Sequence, residues 1–158
     1  MFDPSHFPAD IAHSTDRSDV QYRINTEYFA LPDDAASVGK PINEFDGYRV
    51  YRAADVRAGA APSNAIPVYQ TLPAGSLQIP TGAVFIRFAE GEDVNSRTND
   101  IERAGYRIAE IPPYAAHAAW VRAASGSVRD ALLGVEKLAG LSGVENVAPQ
   151  FVTQRKSR

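Results

Sequence analysis

Residues that hold metals and cofactors are scarce in this chain of 158 residues. It has no cysteine, which excludes disulfide bonds and thiolate metal sites and leaves the cellular compartment undetermined. Its three histidines, His6, His13 and His117, are too scattered in the sequence to suggest a metal-ligand set. We therefore expect neither a metal nor a cofactor.

Long apolar runs and an excess of positive charge are missing as well. No run approaches the length of a transmembrane helix, and residues 1–16 lack the basic start and apolar stretch of a signal peptide. The formal net charge is −3, which argues against a nucleic-acid surface because such surfaces carry clustered positive charge. The sequence thus predicts no membrane and no nucleic-acid partner, and a cytoplasmic location if the chain is complete.

Recognisable catalytic motifs are also absent. Ser127 follows Gly126, but no motif places a histidine and an acid beside it, as a serine nucleophile requires. Ser127 is better explained as a helix N-cap, since Asp130 three residues later can support the first turn. The prediction is a protein that is not an enzyme and has no catalytic residues.

A regular pattern begins at Val84 and fills the C-terminal half. Val84, Ile86 and Phe88 alternate with Phe85 and Arg87, which predicts a strand with one apolar face. Residues 96–104 predict a short helix that ends before a glycine, and residues 106–111 predict a strand that ends at two prolines.

Three further elements complete the order. Residues 117–123 alternate as a strand, and apolar residues from Val128 to Ala139 recur at the spacing of one buried helix face. Val144, Val147 and a stop at Pro149 indicate a last strand. The strand and helix order predicts an α+β fold: a ferredoxin-like βαββαβ open-faced sandwich, an antiparallel sheet with two helices on one face, preceded by a β-rich N-terminal extension.

The domain organisation follows from these patterns. Residues 1–18 mix proline, aspartate, serine and histidine without periodicity and predict a disordered leader. Residues 19–81 contain alternating segments between loops and predict the β-rich extension. Residues 82–150 form the predicted ferredoxin-like domain, and residues 151–158 form an extended tail with too few apolar side chains to build a core.

The segment from residue 82 to 154 resembles the N-terminal prosegment of subtilisin-like serine proteases. Its first strand is similar to the family's V-V-x-F-x-x-G pattern, and its last segment to L-x-G-V-x-x-V-x-P-x. The residues that match the closing pattern are Leu141, Gly143, Val144, Val147 and Pro149.

The resemblance implies a function as inhibitor and intramolecular chaperone. In that family the sheet docks on the protease catalytic domain, and the tail enters the active-site cleft as an extended, product-like strand. An extended tail can pair its backbone with the edges of a cleft while alternate side chains fill pockets. The partner would be a subtilisin-like catalytic domain, in cis or in trans. The tail residues expected to bind it are Phe151, Val152, Thr153, Gln154, Arg155, Lys156, Ser157 and Arg158.

The sequence departs from the family at two points. Family members often carry acidic residues after the final valine, where this chain has Ala148, Pro149 and Gln150. The D-x-G, H-G-T and G-T-S-M segments of the catalytic domain do not occur, so the chain alone is not such a protease. An excised prosegment and a free-standing inhibitor both remain open.

A second functional class uses the same order of elements. A ligand-sensing regulatory domain acting as a dimer would bind its ligand at the dimer interface and leave little trace in the sequence. The lone tryptophan, Trp120, does not separate the two classes. We interpret it as a packing element, because it stands among small residues on a predicted strand.

Overall fold

A computed structural model describes residues 4–14, 17–45, 47–56, 64–71 and 75–153, without the side chains of residues 13 and 17–20. Nine strands and three α-helices lie within these ranges. The strands are β1 Asp10–Ser14, β2 Arg17–Pro32, β3 Asn43–Phe45, β4 Tyr48–Arg52, β5 Ile66–Thr71, β6 Leu77–Phe88, β7 Tyr106–Glu110, β8 Ala118–Ala123 and β9 Val144–Thr153. The helices are α1 Thr98–Arg103, α2 Val128–Leu133 and α3 Val135–Ala139.

The described residues divide into two compact units. The first unit comprises Tyr22–Pro80 with residues 4–10 and 151–153. The second unit comprises Thr81–Gln150 and Ile11–Gln21. Each unit has its own cluster of buried apolar side chains.

The first unit is built from antiparallel strands in the order β3-β4-β2-β5-β6. Phe29 and Tyr51 stack at 5.6 Å between ring centroids and are buried with Leu31. Arg49 reaches the loop that follows β2, where its Nη2 donates to the carbonyl oxygens of Asp33 and Ala35. The alternating strands thus enclose a core of their own.

The end of β9 takes part in the packing of this first unit. The Phe151 ring lies 4.4 Å from the ring of Tyr22 and 5.9 Å from that of Tyr69, and the Thr153 hydroxyl donates to the side-chain oxygen of Gln78. Tyr69 in turn donates its hydroxyl proton to the Pro8 carbonyl, and burial raises the pKa of this tyrosine. The Phe151 side chain of the predicted tail therefore takes part in the packing of the first unit.

The second unit pairs its strands in the order β9-β6-β8-β7. Val84, Ile86 and Phe88 are fully buried, as the alternation in the sequence predicts. Ser127 accepts a hydrogen bond from the Asp130 N–H at 3.2 Å, which confirms its predicted role as the N-cap of α2. The local signals in this half of the sequence therefore identified its strands and its helix start correctly.

The predicted fold class is wrong. The described residues are mostly antiparallel sheet, with nine strands against helices of six, six and five residues, and a ferredoxin-like βαββαβ sandwich with two helices on one face is not found. One reason is that the N-terminal half, predicted as an extension, supplies β1 to β5. Another is that the second predicted helix is interrupted at Gly134, between α2 and α3.

The predicted leader also differs from the structure. Within residues 1–18 the structure has a 3-10 turn at Pro4–His6, strand β1 and the start of β2. The Ile11 side chain is buried, and the Ala9 carbonyl accepts a hydrogen bond from the Ile24 N–H at 2.9 Å. A leader rich in polar residues forms a strand here because a neighbouring strand pairs with it, which local composition does not reveal.

The break at Gly134 is explained by Tyr106. The buried Tyr106 hydroxyl donates to the Ala131 carbonyl, so the ring lies against the helix where the next side chain would project. A Cβ atom at position 134 would lie 2.6 Å from the Tyr106 Oη and 2.9 Å from its Cε1. The backbone φ of Gly134 is −89°, which suits any residue. Glycine is therefore required by the close approach of the Tyr106 ring and not by the backbone conformation.

Gly134→Ala is expected to destabilise the protein by about 1–3 kcal/mol, because the added methyl group overpacks a filled site. Replacing a glycine by alanine in a helix usually raises the free energy of unfolding, and the opposite effect is expected at Gly134. Chemical denaturation followed by circular dichroism measures the change. Gly140→Ala is the matched control, because its Cβ would meet only backbone oxygens at 3.4 and 3.7 Å and little change is expected. Equal effects at the two positions would contradict the explanation.

Phe151→Ala is expected to lower the free energy of unfolding by about 1–2 kcal/mol, since it removes two aromatic contacts of a half-buried ring. Val152→Ala is the control, because neighbouring side chains in a strand point to opposite faces. Thermal and urea unfolding of both variants measure the difference. A loss no larger for Phe151→Ala than for Val152→Ala would show that the aromatic contacts do not stabilise the strand.

Candidate functional site

The register of β6 against β8 separates the side chains of the second unit into two faces. Val84 pairs with Val121, and both lie in the buried cluster. The next pair along the strands, Phe85 and Trp120, projects to the opposite side because successive side chains alternate. We call this side the outer face. Its principal side chains are Phe85, Arg87, Arg107, Trp120, Arg122 and Gln150.

An aromatic pair lies at the centre of the outer face. The rings of Phe85 and Trp120 meet edge to face at 5.2 Å between centroids. Both residues are half-buried, and neither belongs to the buried cluster of the unit. Trp120 therefore packs on one neighbour, as its interpretation as a packing element requires, but it also retains surface that a partner can cover.

Charged side chains surround this pair. Arg87 approaches Glu145 at 3.9 Å, and the two side chains are 38% and 54% exposed, so solvent weakens their attraction. Arg107 and Arg122 occupy directly opposed positions on β7 and β8, and both are exposed. The outer face is therefore an aromatic patch with arginines at its margin.

A surface depression of about 280 Å³ adjoins the patch. Trp120 and Arg122 line it together with Glu110, which lies opposite Trp120 across the strands, and Gln150 at the end of the unit. Gln150 is held by a hydrogen bond from the Thr81 hydroxyl at 2.9 Å. The depression combines one apolar ring with cationic, anionic and amide groups, which suits the contacts of a protein surface.

The turn before β9 is fixed by Arg97. Its guanidinium donates to Glu92 at 2.9 Å, to Asp100 at 2.8 Å and to the Ser142 carbonyl at 2.7 Å, and it lies 4.6 Å above the Phe88 ring. The hydrogen bond from Arg97 holds the pKa of the Asp100 carboxyl below its ordinary value. All these partners belong to the fold, so Arg97 positions the start of the last strand and is not a binding residue.

The structure separates the predicted tail residues into two groups. Phe151, Val152 and Thr153 lie in β9. The others lie outside the described residues: Gln154, Arg155, Lys156, Ser157 and Arg158. The first group cannot be a free inhibitory strand in this conformation, because Phe151 and Thr153 already contact side chains of the first unit.

The outer face contains functional candidates that sequence analysis missed. Arg107 and Arg122 stand at the outward positions of their predicted strands, but only the pairing of β7 with β8 places them opposite each other. Strand register between distant segments is not contained in either segment alone. The alternation around Trp120 was the one available signal, since it sets Trp120 apart from the neighbouring Val121.

Other types of site were searched for in the described parts of the chain. No group of three or more histidine, aspartate or glutamate side chains there could hold a metal ion. Within the same residues, no helix is long and apolar enough to cross a membrane. No family model, curated protein or solved structure matches the chain.

Proposed function

We propose that this protein is an inhibitor of a subtilisin-like serine protease, of the propeptide type, and a folding chaperone where it is joined to that enzyme. The outer face docks on the protease catalytic domain, and the C-terminal segment enters the active-site cleft as a product-like strand. The protein itself performs no catalysis.

One observation supports this proposal above the others. Strand β9 is extended through Thr153, and the sequence then continues with five polar residues that follow directly from it. A polar segment that follows a strand in the sequence can take part in β-strand addition, in which backbone hydrogen bonds give affinity and alternate side chains give specificity. The partly exposed Phe85–Trp120 pair supplies the kind of aromatic anchor on which protein interfaces depend.

The inhibitory segment is shorter than the eight residues predicted from the sequence. Phe151 and Thr153 are engaged within the first unit, so the cleft receives Gln154 to Arg158. Arg155, Lys156 and Arg158 give this segment three positive charges. The target protease accordingly has acidic substrate pockets, which attract basic side chains.

Inhibition assays test the proposal. The full chain is expected to inhibit a subtilisin-type protease that accepts basic residues, and trypsin, which has an unrelated fold, serves as the specificity control. Deletion of residues 154–158 is expected to abolish most of the inhibition and to leave the melting temperature unchanged, because β9 remains whole.

A variant of unchanged length tests whether the positive charges of the segment, and not its mere presence, are needed for inhibition. Replacing Arg155, Lys156 and Arg158 together by alanine keeps the length of the segment, and about a tenfold or larger loss of inhibition is expected if the pockets are acidic. Undiminished inhibition by the shortened chain would rule out the cleft mechanism. Failure of the full chain against a panel of subtilisin-type enzymes would rule out the function.

The edge position of β7 favours a second candidate function, the dimeric ligand-sensing domain. Strand β7 ends the strand order of its unit, and in the described part of the chain no strand pairs with its outer edge. Such an edge can pair with that of a second copy. Light scattering coupled to size exclusion separates the candidates, because an inhibitor of the proposed type is expected to be a monomer that forms a complex with the protease.

A further inference from the structure

Two side chains at the end of β9 are held by the first unit. Phe151 and Thr153 stand two positions apart in an extended strand, so their side chains project to the same side. The Phe151 ring lies 4.4 Å from the Tyr22 ring and 5.9 Å from the Tyr69 ring. The Thr153 hydroxyl donates to the side-chain oxygen of Gln78 at 2.9 Å. We call Tyr22, Tyr69 and Gln78 the anchor site.

The anchor site is built into the sheet of the first unit. Tyr69 on β5 directly opposes Gln78 on β6, so both side chains lie on one face of the sheet. Tyr69 also opposes Ile24 on β2, and Tyr22, two positions before Ile24, therefore lies on that same face. All three side chains of the anchor site are buried. Strand pairing and burial leave them little freedom to move, so the anchor site is a rigid contact for the end of β9.

The anchor site acts at the position from which the inhibitory segment starts. Thr153 is the last residue of β9, and Gln154 begins the segment that the proposed function places in the protease cleft. Five extended residues span at most about 17 Å, so the placement of the first one limits which part of a cleft the others can reach. A strand held in its binding direction also loses less conformational entropy on binding than a freely moving one.

The prosegment resemblance gives the N-terminal half of the chain no role. It covers residues 82–154, whereas Tyr22, Tyr69 and Gln78 all precede that region. Their contacts with Phe151 and Thr153 connect these earlier residues to the last ones of the prosegment-like region. The first unit can therefore influence the segment that follows β9.

We propose that the first unit positions the inhibitory segment. The anchor site holds the end of β9, and this contact sets the place and direction from which residues 154–158 enter the cleft. The three side chains of the anchor site are positioning residues, because they act through Phe151 and Thr153 and not by contact with the protease. The positioning role rests on the proposed function, whereas the anchoring of β9 does not.

Substitutions at the anchor site leave the sequence of the inhibitory segment unchanged, so they separate positioning from direct contact. Tyr22→Leu removes the ring that lies nearest Phe151, and the inhibition constant for the protease is expected to rise about tenfold or more. Tyr22→Phe keeps the ring and is expected to inhibit like the parent chain. Phe29→Leu is the matched control, because it shortens another buried ring of the same unit, one that stacks on Tyr51, and its inhibition constant is expected to be unchanged.

Thr153 allows a second test from the other side of the contact. Thr153→Val keeps the β-branched shape but removes the hydroxyl that donates to Gln78, so inhibition is expected to weaken about fivefold, and Thr153→Ser is expected to retain it. Amide hydrogen exchange of residues 151–153, followed by NMR, is a readout that needs no protease. Exchange is expected to be faster in Tyr22→Leu than in Phe29→Leu, because only the former releases the end of the strand.

The outcomes separate this inference from the proposed function. Inhibition by Tyr22→Leu and Thr153→Val equal to that of the parent chain would overturn the positioning role and leave the function standing. Stronger inhibition by these variants would overturn it too, by showing that the first unit withholds the end of the strand. An equal loss in Phe29→Leu would assign the effect to general stability. If the parent chain inhibits no subtilisin-type protease, the function and the positioning role fail together, and the exchange rates decide whether the anchor site holds β9.

Discussion

The register between β6 and β8 is the constraint on which the second unit depends. Because Val84 lies opposite Val121, one set of side chains from both strands enters the buried cluster and the other set forms the outer face. A slip of one residue in either strand would bring its aromatic side chain to the core side and turn its valine outward. Core and candidate site are therefore two consequences of one pairing, and neither can shift without the other.

Two polar contacts join other elements of this unit that are distant from one another in the sequence. The Tyr106 hydroxyl bonds the Ala131 carbonyl and joins β7 to α2, at the point where Gly134 leaves room for the ring. Arg97 joins the segment after β6 to the Ser142 carbonyl before β9. Both contacts are satisfied inside the fold, in contrast to Arg107 and Arg122, which form no ion pair with a described side chain. This difference distinguishes residues that build the structure from residues that are candidates for binding.

Most of the local structure of residues 84–149 could be predicted from the sequence, because the signals that determine it lie within short segments. Alternation identified the strand through Ile86, and the pairing of Ser127 with Asp130 identified the start of α2. The break at Gly134 was missed because helical periodicity continues across it, and only the distant Tyr106 reveals the need for glycine. The fold class was wrong for a similar reason: β2 pairs with β4 and β5, which lie well apart from it in the chain, and no short pattern encodes those pairings.

The candidate site could be predicted only in part, and the structure redistributes its roles. The resemblance to protease prosegments assigned binding to all eight residues of the tail, because the corresponding segment of that family lies in the protease cleft. Phe151 instead contacts Tyr22 and Tyr69, so an apolar side chain that seemed available to a partner is used by the fold. Trp120 was assigned to packing; it packs on Phe85 and is only partly buried on the outer face.

Phe151 and Trp120 differ for one physical reason. The hydrophobicity of an aromatic residue predicts that it will be covered, but whether its own chain or a partner covers it depends on which strands meet. At Phe151 the partners are two tyrosines of the same unit, and the ring becomes part of the structure. Among the described residues the aromatic partner of Trp120 is Phe85 alone, and Arg107 and Arg122 occupy neighbouring positions on the outer face. The surface left beside Trp120 is therefore partly apolar and bordered by arginines.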